Sequence, residues 1–214
     1  MSAVGTQMDL ALRLLDDQLI DVEEHRCGRV DDVQLEGGPG IRTVVSALLS
    51  GSAAWTNRVR RPFGAAIGGL APAYVHCVPW SEVTGVGTAV RLAHTAGEIG
   101  LEADDGRSVQ WLGDLPRGTL LLSELLGARL VDTSGRRLGR VWDVRAERET
   151  ELPDERVNEP WRVAGVITGR GGWKERIGLT PEGDAGESEA FAFVPWEAVQ
   201  EVAGGIVTVG HLAA

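Results

Sequence analysis

An internal repeat limits what this chain can fold into more than any other feature of its sequence. Residues 14–33 read LLDDQLIDVEEHRCGRVDDV, and residues 125–144 read LLGARLVDTSGRRLGRVWDV. The two stretches align without a gap at an offset of 111 residues, and about half of the positions are identical. Two copies indicate a tandem duplication rather than a solenoid, because a solenoid needs at least three stacked repeats.

The similarity continues downstream, with small changes in loop length between the copies. Residues 55–59 match residues 173–177 at an offset of 118, and residues 78–80 match residues 194–196 at an offset of 116. One unit therefore spans about 85–95 residues, which is the size of a small domain. We expect a first domain, an acidic linker and a second domain at residues 1–94, 95–119 and 120–214.

Each unit reads as β-structure with tight turns. Residues 163–168 and 206–209 are short apolar runs, which are typical of buried strands. Pro195 should end the strand before it, because proline cannot donate to a strand ladder. Short strands separated by turn residues favour a small barrel or sandwich. We expect Cys27 to be buried, because it aligns with the apolar Leu138. The other residues that we expect in the core are Leu19, Val30, Val33, Leu130, Val141 and Val144.

Three stretches of the second unit form a recognisable pattern. They are residues 122–127 (LSELLG), residues 138–144 (LGRVWDV) and residues 194–199 (VPWEAV). In this order they resemble the PRC-barrel family. The first unit is similar to the family at residues 15–21 and 78–83, but the turn glycine is replaced near Glu24. Together the two units cover most of the chain except the linker.

The resemblance implies an all-β fold of two tandem small six-stranded PRC-type β-barrels. It also implies short helical turns and an approximate two-fold pseudo-symmetry between the barrels. Such barrels occur in the H subunit of photosynthetic reaction centres and in a ribosome-maturation factor, where they resemble docking modules for other macromolecules. The family has no shared catalytic residues. We therefore expect a non-enzymatic protein without a cofactor or a bound metal.

The charge and composition of the chain narrow its partners. A formal net charge of −10 repels phosphate backbones, which disfavours a nucleic-acid partner. Two cysteines are too few for a disulfide framework, and no stretch reaches the roughly 18 apolar residues that a membrane span needs. We expect a cytoplasmic protein that binds another protein, with a homodimer as an alternative.

Tryptophan and arginine mark the candidate partner-binding positions. Both residue types are common at binding hot spots, although an arginine stacked on an indole is also a common packing pair. Residues 58–70 join a basic run to an apolar stripe, a pattern that suits a membrane surface or a partner as well as a segment folded back on the first barrel. The candidate residues are Trp55, Arg58, Arg60, Arg61, Phe63, Trp173 and Arg176.

These features lead to one main hypothesis and two alternatives. The main hypothesis is a non-enzymatic cytoplasmic protein that docks other macromolecules through two PRC-barrel domains. The first alternative is a peripheral membrane-associated protein that uses residues 58–70. The second alternative, a ribosome-assembly factor, rests on family analogy alone.

Overall fold

The protein, described by a computed structural model, is mostly β-structure, which confirms the all-β class predicted from the sequence. In the described part of the chain, one twelve-stranded sheet curls into half a barrel, and four further strands form a second, small sheet. The described residues are 7–51, 74–101, 109–111, 118–148, 160–169 and 192–210.

The first unit begins with a short strand and a single helical turn, and its last two strands follow a 3₁₀ turn. In chain order its elements are β1 (Gln7–Asp9), α1 (Leu10–Leu14), β2 (Gln18–Ile20), β3 (Arg26–Arg29), β4 (Asp32–Glu36), β5 (Val44–Ser50), β6 (Tyr74–Pro79), a first 3₁₀ turn (Trp80–Glu82), β7 (Val83–Val86) and β8 (Val90–Leu92).

The second unit repeats the order of elements of the first, and a linker with one short helix and one strand precedes it. The linker carries α2 (Ala96–Ile99) and β9 (Val109–Trp111). The second unit consists of β10 (Thr119–Leu121), α3 (Leu122–Leu125), β11 (Arg129–Asp132), β12 (Arg137–Glu147), β13 (Arg162–Gly169), β14 (Ala192–Pro195), a second 3₁₀ turn (Trp196–Ala198), β15 (Val199–Ala203) and β16 (Ile206–Val209). Pro195 ends β14, as its missing N–H predicts.

The two units share one strand order. The second unit runs β15–β16–β11–β12–β13–β14, and the first runs β7–β8–β2–β3 and then β4–β5–β6. Strands β3 and β4 together correspond to the single long strand β12. The β2–β8 and β11–β16 pairs are parallel, and the other pairs within each unit are antiparallel. This agreement in order and direction supports the duplication inferred from the sequence.

Strands β5 and β13 meet at equivalent residues. Leu49 and Ile167 face the equivalent residues Asp32 and Asp143, so the two strands correspond at an offset of 118. At the same offset Val44 corresponds to Arg162, and these two residues pair antiparallel with each other. The backbone N–H of Val45 donates to Trp161 O, and that of Val163 donates to Thr43 O, both at 2.8 Å. Each strand therefore makes the same contact with the other.

The units also exchange the segments that lead into them. Strand β1 pairs with β12 of the second unit, and β10 pairs with β4 of the first unit. The helical turn after each strand is then bound by an aspartate of the opposite unit. Asp143 Oδ1 accepts the N–H of Ala11 at 2.7 Å, and Asp32 Oδ1 accepts the N–H of Ser123 at 3.0 Å. Because the first N–H groups of a helix have no partner within it, each unit completes the other.

A continuous hydrophobic core joins both units. Trp80 and Trp196, at equivalent positions in the two 3₁₀ turns, are both buried in it. Trp196 Nε1 donates to Gly38 O at 3.1 Å and to Thr43 Oγ1 at 3.0 Å, which ties the second unit to the loop before β5. The predicted core residues are confirmed, since at most 1% of each is exposed: Leu19, Val30, Val33, Leu130, Val141 and Val144.

Cys27 is half-buried rather than buried, so that prediction was wrong. Strand pairing passes from Leu19–Gly28 to Ile20–Arg26, which leaves Cys27 as the extra residue of a β-bulge. The bulge turns its side chain partly away from the core, and Cys27 Sγ lies 3.5 Å from Leu19 O.

The turns of hairpins β2–β3 and β11–β12 have the same backbone conformation, although glutamate in the first replaces glycine in the second. Glu24 has φ 64° and the equivalent Gly135 has φ 82°. Asp21 and Asp132 stabilise the two turns in the same way, because each Oδ1 accepts two backbone N–H groups of its own turn. Glu24 therefore adopts a left-handed conformation that glycine would adopt with less strain.

Candidate interaction surface

The partner-binding residues predicted from the sequence lie outside the described residues, and so does the whole of segment 58–70. Their role stays a prediction. The residues concerned are Trp55, Arg58, Arg60, Arg61, Phe63, Trp173 and Arg176.

The first hairpin of each unit offers a direct comparison of two equivalent surfaces. Hairpin β2–β3 corresponds to hairpin β11–β12 at an offset of 111. Leu19 faces Gly28 in the first unit, and Leu130 faces Gly139 in the second. Both leucines are buried, so the residues beside them in each strand point outward. Each hairpin therefore has a buried inner face of the same kind, and the outer faces of the two hairpins can differ.

The outer face of β11–β12 is rich in arginine. Arg129 lies directly opposite Arg140, and Arg137 lies opposite Val131. Directly opposite residues of an antiparallel pair have Cβ atoms about 4.5–5.5 Å apart, so like charges at such a pair are destabilising. We call the surface formed by Arg129, Arg137 and Arg140 the arginine face. The exposed Arg136 lies at the turn end of this face.

The arginine face has little internal neutralisation. Arg129 and Arg137 are exposed and Arg140 is half-buried. Arg140 Nη1 donates to Gly127 O at 2.7 Å, which uses one of its five donors. Among the residues that the structure describes, none of the three arginines, nor Arg136, makes an ion pair with a carboxylate.

Two carboxylates lie near this surface. Asp132 Oδ1 accepts the hydroxyl of Ser134 at 2.6 Å and two backbone N–H groups. The hydrogen bond from Ser134 is the main reason that the pKa of Asp132 lies below its usual value, with a smaller contribution from the charge of Arg136. Glu201 faces Thr208 of β16, which in turn pairs with Val131. One strand, β16, therefore lies between the strand of Glu201 and the strand of Arg129.

On the equivalent surface of the first unit, Arg29 is paired with a carboxylate. Arg29 faces Gln18 rather than a second arginine, and Arg29 Nε donates to Asp31 Oδ1 at 2.9 Å. Asp31 is buried, and its Oδ2 accepts the N–H of Gly51 at 2.8 Å. In the second unit, Arg129 and Trp142 replace Gln18 and Asp31.

These replacements change the charge of the surface. Four equivalent positions carry a net charge of +1 in the first unit and +3 in the second. The positions are Gln18, Arg26, Arg29 and Asp31 in the first unit, and Arg129, Arg137, Arg140 and Trp142 in the second. The two units therefore share the arginines at two of these positions, but only the first unit has a carboxylate that neutralises one of them.

A second exposed patch of the second unit is formed by Phe193 and Arg145. Phe193 is 44% exposed, and the guanidinium of Arg145 lies 5.8 Å from its ring centroid. Arg145 also donates two hydrogen bonds to the carboxylate of Asp9, at 2.8 and 3.1 Å. Its charge is paired, so this patch is explained by the docking of β1 on β12 and does not call for a partner.

Other polar groups in the described part of the chain have structural roles. Burial raises the pKa of Asp143, while the N–H groups of Ala11, Val144 and Leu12 oppose that rise. For Asp21, the N–H groups of His25, Ala96 and Glu23 outweigh the effect of burial, and its pKa lies below the usual value. Asp21 Oδ2 accepts the N–H of Ala96 at 3.2 Å, which fastens the start of α2 to the first hairpin.

The described residues lack two features that would indicate particular functions. They contain no group of three or more histidine, cysteine, aspartate or glutamate side chains arranged to hold a metal ion. Within the same ranges, no helix combines the length and apolar character needed to cross a membrane.

The arginine face was not among the sites predicted from the sequence. Its signal lies in the alignment of the two units, where Gln18 becomes Arg129 and Asp31 becomes Trp142 while Arg29 is retained as Arg140. Where one unit has a carboxylate beside an arginine and the other has only the arginine, the charge of the two equivalent surfaces differs. The strand register then shows that Arg129 and Arg140 face each other.

Comparison with known proteins gives no identity to set beside this geometry. The chain matches no protein-family model, and no curated protein sequence matches it significantly.

Proposed function

We propose that this chain is a non-enzymatic cytoplasmic protein that docks other macromolecules through two tandem PRC-type β-barrels. The observation that carries the proposal is the contrast between the two units. Their core, their strand order and their mutual aspartate contacts are duplicated, whereas the outer faces of the first hairpins differ: Arg29 pairs with Asp31 in the first unit, while Arg129 and Arg140 face each other in the second and form no ion pair with a described carboxylate. A duplicated scaffold with one altered outer surface is suited to binding.

Several features support the PRC-type interpretation. Each unit has six strands in the same order if β3 and β4 are counted together. The pairing of Val44 with its counterpart Arg162, together with the reciprocal binding of α1 and α3, is what an approximate two-fold axis between the barrels would produce. The Val-Pro-Trp motif also forms the same strand-to-3₁₀ junction in both units.

The pattern of recurrence favours docking over catalysis. Residues of a duplicated catalytic site should recur as reactive side chains in both units. Among the described residues, those that recur include apolar core positions, turn aspartates, the capping pair Asp32 and Asp143, and the hairpin arginines Arg29 and Arg140. These residues determine the shape of the scaffold, and the divergent outer face supplies the chemistry for recognition.

Affinity capture of the full chain from native lysate, followed by quantitative mass spectrometry, tests this function. We expect one protein to be recovered in an amount comparable to the bait. Recovery mainly with membranes would support the membrane alternative that uses residues 58–70, and recovery of ribosomal proteins would support the ribosome-assembly alternative. Failure to enrich any macromolecule over an unrelated acidic bait would overturn the proposal.

A further inference from the structure

We propose that the arginine face of the second unit binds an acidic segment of a partner protein. This inference rests on the proposed docking function and adds the chemistry of the partner. The surface consists of Arg129, Arg137 and Arg140, with Arg136 at the turn and the half-buried Val131 opposite Arg137. The half-buried Trp142 follows Arg140 two positions along the chain.

The two facing arginines lower the stability of the hairpin in the isolated protein. Arg129 and Arg140 are directly opposite each other, an arrangement that destabilises a strand pair. The first unit has the same fold with Gln18 opposite Arg29, so the fold does not require a second arginine. The residue that increases the repulsion is therefore better explained by a bound anion than by the stability of the hairpin.

The spacing of the arginines determines which shape of anion fits the surface. A guanidinium group binds a carboxylate through two parallel hydrogen bonds, and the planar fork fixes the orientation of the pair. Two guanidinium groups from facing positions can enclose one carboxylate between them. Arg137 lies one same-face position further along the hairpin, at roughly the 6–7 Å that separates alternate residues of an extended chain. An extended segment with acidic residues at alternate positions matches this spacing.

The small number of cations and the acidic charge of the chain favour a protein segment over a nucleic acid as the partner. Affinity for nucleic acid grows with the number of phosphates that are neutralised, and this surface offers only three or four cations on a chain of net charge −10. Val131 lies opposite Arg137 and places apolar surface next to the cations, and Trp142 follows Arg140 two positions along the chain. Tryptophan beside arginine is typical of protein-binding hot spots. A short acidic segment can use both parts of the surface without bringing a long polyanion near the acidic remainder of the chain.

The test measures binding of a labelled peptide to the purified full chain by fluorescence anisotropy. The probe is a ten-residue peptide in which glutamate alternates with valine, and its control replaces every glutamate with glutamine. We expect the acidic peptide to bind at least about tenfold more tightly than its glutamine control, because charged hydrogen bonds supply most of the affinity. Equal binding of the two peptides would overturn the proposal.

Charge-matched variants locate the site. R129E/R140E should weaken binding of the acidic peptide by about tenfold or more. The control R26E/R42E changes the net charge by the same amount, but it alters exposed arginines of the first unit and should change binding by less than about threefold. Equal losses in the two variants would mean that the arginine face is not the site.

A third variant keeps the result interpretable if the double variant fails to fold. R129Q restores the residue found at the equivalent position of the first unit, Gln18. It should weaken peptide binding while raising the thermal midpoint, because it removes the like-charge pair with Arg140. A purely structural role for Arg129 would lower the thermal midpoint on substitution and leave binding unchanged, which would overturn the proposal.

Competing occupants give different results. Tighter binding to a single-stranded oligonucleotide or to phosphatidylserine vesicles than to the acidic peptide would overturn the assignment to a protein segment. A dimer in sedimentation that R129E/R140E dissociates would assign the surface to a second copy of the chain. If a captured partner is retained by R129E/R140E, the docking function stands and this inference fails. If no partner is captured and no peptide binds, both fail.

Discussion

The carboxylate of Asp143 accepts the backbone N–H of Ala11 at 2.7 Å, although the two residues are 132 positions apart in the chain. The same carboxylate accepts the N–H of Leu12 at 3.1 Å and that of Val144 at 2.7 Å. Helix α1 has no side-chain cap of its own, so its first N–H groups depend on the opposite unit. The two units therefore act as one structural body.

Replacing either capping aspartate should destabilise the whole chain. We expect D143A and D32A each to lower the free energy of unfolding by about 1–3 kcal/mol, because backbone N–H groups lose their acceptor. D143N keeps one acceptor oxygen and should cost less. Urea denaturation followed by tryptophan fluorescence measures all three. D143A as stable as the wild type would contradict the proposed mutual support.

The two halves of the chain should fold poorly when expressed separately. A first half ending at residue 114 lacks β10 against β4, and the second half lacks β1 against β12. Each half exposes a strand edge and leaves a capping aspartate without its helix. We expect dispersed amide signals in NMR spectra only after the halves are mixed. A single half that melts cooperatively by itself would refute this expectation.

His94 should make stability depend on pH in a defined direction. Its Nδ1 lies 2.6 Å from Glu82 Oε2, and this hydrogen bond, helped by the charges of Glu82 and Glu98, raises the pKa of His94 above its usual value. Folding therefore favours the protonated imidazole. This contribution to stability is fully present below the unfolded pKa and is lost as the pH rises through the folded pKa.

The variants H94Q and E82Q test that dependence. The stability lost on substitution should be larger at about pH 5.5 than at about pH 8.5, because the contribution of the protonated imidazole declines as the pH rises. Because His94 is largely exposed, solvent screening keeps the effect small, and urea midpoints should be compared at both pH values. Identical pH profiles for the wild type and H94Q would show that the pair does not contribute.

Two equivalent glycines should respond differently to alanine. A Cβ at Gly139 would lie 3.1 Å from Gly169 O, whereas a Cβ at Gly28 would lie 2.8 Å from Ser50 Oγ. Both glycines have positive φ, but only the serine hydroxyl can rotate away. We expect G139A to cost about 1–3 kcal/mol and G28A to cost less. Thermal melting of both variants checks the order, and the reverse order would contradict it.

The sequence by itself determined the duplication, the core and the turns, because these features are written in local patterns. Leu130, Val141 and Val144 are buried, as their spacing predicts, and Pro195 ends its strand for want of an N–H. The exception among these predictions is Cys27, because a β-bulge between Leu19 and Ile20 shifts the alternation that would have buried it. A bulge depends on the pairing of two strands, so the pattern of one strand does not reveal it.

Only the tertiary structure decided which unit holds which helix and which arginines face each other. Nothing near Asp143 in the sequence indicates that it binds the N–H of Ala11, since a carboxylate can accept from any N–H group that the fold brings to it. Arg29 and Arg140 are likewise indistinguishable as residues. Their difference arises because Arg29 meets the carboxylate of Asp31, whereas Arg140 meets Arg129 across the strand pair. Electrostatic energy depends on distance in space, and that distance exists only once the strands are in register.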